Sequence, residues 1–96
     1  MQKFRTYQLA KALYLGIEKL GLKGEKRDQL DRASFSVVLN LAEGTGRKGK
    51  DRVRFFRIAM GSLRETQAIL DILDQTELLA VGAHLHNLLR NPGPGA

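Results

Sequence analysis

The sequence predicts an all-α domain of four helices, and three observations predict it. Apolar residues recur at helical spacing in four separate segments, no segment alternates convincingly as a strand, and glycine-containing turns fall between the first three segments. Ninety-six residues make one domain, expected over residues 1–90, with the NPGPGA tail at 91–96 stopping the last helix and expected to be disordered. A chain this short buries a modest core, so oligomerisation is an expected source of further burial.

The first helix is expected over residues 2–20. Tyr7, Leu9, Ala10, Leu13, Tyr14, Ile17 and Leu20 share one broad arc, with Gln8, Lys11, Glu18 and Lys19 opposite. Gly21 and Gly24 bracket a turn, and acidic residues between Glu25 and Asp28 favour a helix start there.

The second helix, about 27–44, is apolar over most of its circumference. Leu30, Ala33, Val37 and Leu41 form one face; Phe35, Val38, Leu39 and Ala42 form a second. Such a helix must be covered on more than one side. The second face is therefore the expected oligomer interface, the competing reading being a helix buried centrally in its own domain. A narrow polar sector carries Ser36, Asn40, Glu43 and Arg47, and Asn40 is expected to bond to Glu43 or Arg47.

The third helix is expected from about Lys50 to Asp74, with Phe55, Phe56, Ile58, Ala59, Met60, Leu63 and Leu70 inward. Lys50, Arg54, Arg57 and Arg64 track its polar face over ~21 Å at 1.5 Å per residue. Folding the second and third helices antiparallel about residues 47 and 48 puts Ser36 opposite Ala59 and Ala33 opposite Ser62. Small then faces small, which permits close approach. Gly61 within this helix costs about 1 kcal/mol relative to Ala, so a packing or contact reason for it is expected. The fourth helix is expected from Thr76, as N-cap, to Arg90, with Leu78, Leu79, Gly82, Leu85, Leu88 and Leu89 inward.

Charge is concentrated rather than spread. Between Arg47 and Arg57 lie six basic residues and one acid, which supplies +5 of the net +6. A focused patch points to a polyanionic partner. The expected nucleic-acid-binding residues are Arg47, Lys48, Lys50, Arg54, Arg57 and Arg64, reached by RNA or DNA through the hairpin of the second and third helices. No Asn or Gln is interleaved to read bases, and the aromatics are expected to face the core, so the expected contact is with backbone charge and shape. The competing reading is a protein-interaction module that docks an acidic partner without touching nucleic acid.

Other chemistry is weakly represented. Gly44, Gly46 and Gly49 spell GxGxxG, and GTGRKGKD nearly spells the P-loop, yet Asp51 stands where a magnesium-ligating hydroxyl belongs and no strand precedes the turn. His84 and His86 lie about 200° apart on a helix, which does not suit a shared metal. Glu43 and Glu65 are expected in salt bridges with Arg47, Arg52 or Arg32, and Phe4 and Tyr7 in the core. No cofactor, metal or catalytic residue is expected. There is no cysteine, no signal peptide and no run near the ~18 apolar residues of a membrane span, so a bacterial-type cytoplasmic protein is expected.

The run RASFSVVLNLAEGTGR followed by RFFRIAMGSLRE resembles the bacterial four-helix-bundle proteins encoded by intervening sequences in large-subunit ribosomal RNA genes. That family includes the accessory variability determinant of diversity-generating retroelements. The residues that carry the resemblance are Arg32, Ala33, Ser36, Asn40, Ala42, Glu43, Gly44, Gly46 and Arg47, then Arg54, Phe55, Ile58, Ala59, Gly61, Ser62 and Glu65. It covers the middle third of the chain closely and fits the helix count and order throughout. A hydroxyl residue is usual near the start of the third helix; Gly49 stands there instead, which implies a weaker N-cap. The resemblance implies an antiparallel up-down-up-down four-helix bundle assembled as a homopentamer, with a basic surface and no catalysis. It also implies, for a retroelement member, a reverse transcriptase as protein partner.

Overall fold

The computed structural model describes residues 2–90, with side chains from Arg5 onward; the 91–96 tail and the Phe4 side chain, for which expectations were stated, lie outside the described residues. Four helices follow one another: α1 (Gln2–Glu18), α2 (Gly24–Thr45), α3 (Gly49–Ile72) and α4 (Thr76–Arg90), with no strand among the described residues. Gly21 at φ +66° and Gly24 at φ +79° make the α1–α2 turn, in the left-handed region that glycine enters without a Cβ clash. Between α3 and α4, Asp74 takes the same region at φ +55°. Thr76 is the first residue of α4 rather than the residue before it, so it does not occupy the expected N-cap position.

α2 packs on α1 and α3, and α4 packs on the same two, so the helices close a ring around one core. Leu13, Leu30, Leu41, Leu63, Leu70 and Leu85 are fully buried in it, joined by Ala10, Ile17, Val37 and Ala59. Contacting pairs run in opposite senses. Along α2, Ser36 meets Ser62, and further on Gly44 lies against Phe55 and Phe56 of α3. Along α1, Arg5 meets His84, and further on Gly16 lies against Leu78 of α4.

The α2–α3 seam differs in register from the expected one. Ser36 faces Ser62, not Ala59, because the chain folds back about Gly49 rather than about residues 47 and 48. Small still faces small, but through a hydroxyl pair: Ser36 Oγ and Ser62 Oγ are 2.8 Å apart. Asn40 extends this network. Its Nδ2 donates to the Ser36 carbonyl at 2.8 Å and to Ser36 Oγ at 3.1 Å, so Ser36, and not Glu43 or Arg47, is its partner. An amide on the same helix, one turn on, reaches the backbone carbonyl more readily than an exposed charged group. Thr66 Oγ1, fully buried, donates to the Ser62 carbonyl at 2.8 Å. No buried side-chain donor or acceptor among the described residues lacks a partner, which is how polar groups are tolerated at a helix interface.

Ala59 is fully buried in the core cluster. Ala59→Leu adds three carbons to a filled space and is expected to cost about 1–3 kcal/mol. Urea denaturation checks it; a midpoint equal to that of the unmodified protein would refute close packing here.

The two apolar faces of α2 separate. Leu30, Ala33, Val37 and Leu41 are buried, and Val38 joins them at 9% exposure, so Val38 belongs to the chain's own core rather than to its outside. Phe35 at 44% and Leu39 at 48% remain exposed, as does Ala42. The Phe35 ring leans on Tyr14, with centroids 5.4 Å apart. Tyr14 in turn donates to Asp31 Oδ1 at 3.1 Å, and burial, followed by this bond, raises the phenol's pKa.

Candidate nucleic-acid interface

The basic region is built on the joint between α2 and α3. α2 ends in backbone bonds from Gly46 N–H to Glu43 O and from Arg47 N–H to Gly44 O, each 3.1 Å. Lys48 is extended at φ −132°, and Gly49 opens α3 at φ +59°, which favours glycine there. The N-cap of α3 is Lys48, whose side chain makes no capping hydrogen bond. The GxGxxG spacing serves this helix end. Gly44 is buried within α2, and the Gly46 and Arg47 amides are spent on carbonyls of the preceding turn.

Arg47 spans the joint. Its guanidinium donates to Asp51 Oδ2 at 2.9 Å and to Glu43 Oε2 at 3.2 Å, one turn forward and one turn back. Its carbonyl accepts from Arg52 Nε at 3.0 Å. The bonds to Glu43 and then Asp51 raise the Arg47 pKa above its ordinary value. It also lies 5.1 Å from the Phe55 ring centroid, and Arg54 lies 5.2 Å from the same ring. Phe55 is therefore a half-buried platform under two cations, not the core residue expected from its place in the apolar arc. Cations favour the negative face of an aromatic ring in this way. The spacing from 47 to 55 crosses the turn, so nothing in the local helical period signals it.

The remaining cations behave differently. Arg54 is 3.9 Å from Asp51 Oδ1 and 68% exposed at its side chain. Lys48, Lys50, Arg57 and Arg64 are exposed, and none makes an ion pair among the described residues. Lys50, Arg54, Arg57 and Arg64 fall within an arc of about 80° on α3, facing away from the core. Of the six expected binding residues, α3 thus brings four onto one face. Lys48 sits beside them at the joint, and Arg47 is engaged in structure. Exposed Val53 and Ile58 border the same face, and a shallow hollow runs over Gly49, Lys50, Val53, Arg54, Arg57 and Ile58. Ile58 was expected inward; at 41% exposure it lies outside instead.

Among the described residues no three His, Cys, Asp or Glu side chains are grouped to hold a metal ion. His84 is exposed beside Arg5 at 3.3 Å, and His86 is half-buried. Among the described residues no helix is long and apolar enough to cross a membrane.

No curated protein and no solved structure matches the chain. The profile of the 23S rRNA-intervening sequence protein family matches residues 2–90, which takes in all four helices. Both halves of the basic joint, the serine seam and the core they rest on lie inside that match, and the chain belongs to the 23S rRNA-intervening sequence protein family.

Proposed function

We propose that this protein is a non-enzymatic, oligomeric, antiparallel up-down-up-down bundle that binds RNA or DNA in the cytoplasm through the basic outer face of α3. The observation that carries this is the distribution of partners among the cations. Arg47 is paired with Glu43 and Asp51, while Lys48, Lys50, Arg57 and Arg64 are exposed and make no ion pair among the described residues. Unpaired cations on one face release counterions from a polyanion at little cost in broken salt bridges. Opposite-running contacts along α2 with α3 and α1 with α4 support the up-down arrangement. Binding is expected to be nearly independent of sequence, since phosphate contacts position but do not specify. The test is competition: labelled RNA on the protein should be displaced equally by unlabelled RNAs of unrelated sequence and far less by polyglutamate. Displacement by polyglutamate alone would favour the second reading. In that reading the exposed Val53 and Ile58 beside the cations dock an acidic protein such as a reverse transcriptase.

The oligomer rests on Phe35, Leu39 and Ala42, the exposed apolar side of α2, with Val38 behind them in the core. Five subunits are proposed from the family resemblance. Phe35→Asp is expected to lower the mass measured by light scattering to that of a monomer, because a charge in a buried interface costs several kcal/mol. An unchanged mass would place the interface elsewhere.

A further inference from the structure

Gly61 has no intramolecular reason to be glycine. It lies in the middle of α3, is exposed, and a Cβ added there meets nothing within 4 Å. The other helix-interior glycines differ. A Cβ at Gly16 would come 2.7 Å from Leu78 Cδ2, at Gly44 2.6 Å from Phe56 Cδ1, and at Gly82 3.2 Å from Gln67 Cγ. Those three let helices approach; Gly61 gives up helix propensity and gains no neighbour in the subunit.

Its surroundings say what it faces. Lys50, Arg54, Arg57, Gly61 and Arg64 follow one another at alternating spacings of four and three, which is a single row along the helix surface. Gly61 is the one place in that row without a cation. Arg57 and Arg64 stand on either side of it, ~10.5 Å apart along the axis, and both are exposed without an ion pair among the described residues.

We infer that Gly61 is the point at which a sugar–phosphate backbone crosses α3, lying directly on the helix between Arg57 and Arg64. The absent side chain lets the strand come close, as glycine does wherever a ligand must approach a backbone, and the two guanidiniums meet phosphates on its two sides. Charge complementarity selects the occupant. The other four places in the row are cationic, so a second copy of the same row is repelled, and it carries no amide side chain to read a base edge. This inference rests on the proposed nucleic-acid function and names the residue that sets the depth of contact.

The test uses Gly61→Ala and Gly61→Leu in the full chain, with binding to long RNA and DNA, thermal midpoint and mass by light scattering all measured. Both variants should melt higher than the unmodified protein, since each is a better helix former in open space. Gly61→Leu should bind about tenfold or more weaker at unchanged mass, and Gly61→Ala should lie between. Unmodified affinity in Gly61→Leu overturns the crossing point. If an Arg54→Glu/Arg57→Glu variant still loses binding in that assay, the nucleic-acid function stands without it; if that variant also binds normally, both fall. Lost binding together with a changed mass would make Gly61 a subunit contact and would likewise overturn the crossing point.

Discussion

Arg54→Glu/Arg57→Glu is expected to weaken binding to long RNA and DNA on the order of 10²-fold at low salt. The two substitutions change the charge of one face by four, at positions that are exposed and outside the core. Arg54 is held only loosely by Asp51, at 3.9 Å, and Arg57 by no ion pair among the described residues. The fold should therefore hold, with stability changed by about 0.5 kcal/mol or less, as circular dichroism on melting would show. Lys23→Glu/Lys26→Glu makes the same change of net charge at exposed positions beside the start of α2. It should retain most of the affinity. Equal losses in the two variants would mean that overall charge, not the α3 face, governs binding.

Gly44→Leu is expected to destabilise the fold by about 3 kcal/mol, toward the upper end for overpacking. The first added carbon would stand 2.6 Å from Phe56 Cδ1 and 3.3 Å from Phe55 Cβ, and three more carbons follow it. Gly44 is buried, so they have no path to solvent that avoids the α2–α3 seam. Such a loss is a large part of the ~5–15 kcal/mol by which domains of this kind are stable. Phe56→Ala in the same chain should recover part of it, because it removes the ring the leucine meets; urea midpoints of the two single variants and the double variant measure this coupling. The same Gly→Leu change at Gly61 should raise stability. Two glycines of one hairpin thus respond with opposite signs, and only their surroundings differ.

Much of this was legible in the sequence. Helical periodicity marks all four helices, and Gly21 and Gly24 mark the first turn because both need positive φ. Leu30, Ala33, Val37 and Leu41 are legible as core because they recur on one side of α2. The seam register was not. It depends on how three linker residues, Gly46 to Lys48, set one helix against the next, and an offset of three residues changes Ser36's partner from Ala59 to Ser62. Arg47's tie to Glu43 follows from i, i+4 spacing, but its place over Phe55 depends on the path of the turn. Clustering makes Arg47 an expected binding residue; in the structure its guanidinium also pairs with Glu43 and Asp51 across the joint. Gly61 was legible as an anomaly; only the empty space around it separates packing from contact.

The central claim is that a row of exposed α3 cations meets phosphate, and a salt titration tests it most directly. With Lys50, Arg54, Arg57 and Arg64 engaged, log affinity for duplex DNA should fall against log salt with a slope of about −3 to −4 per engaged subunit. It should be shallower on single strands, since ~0.9 counterions are released per duplex phosphate against ~0.7. The Arg54→Glu/Arg57→Glu variant should lose about two units of that slope. A flat salt response in the unmodified protein, or the same slope in both proteins, would contradict the account.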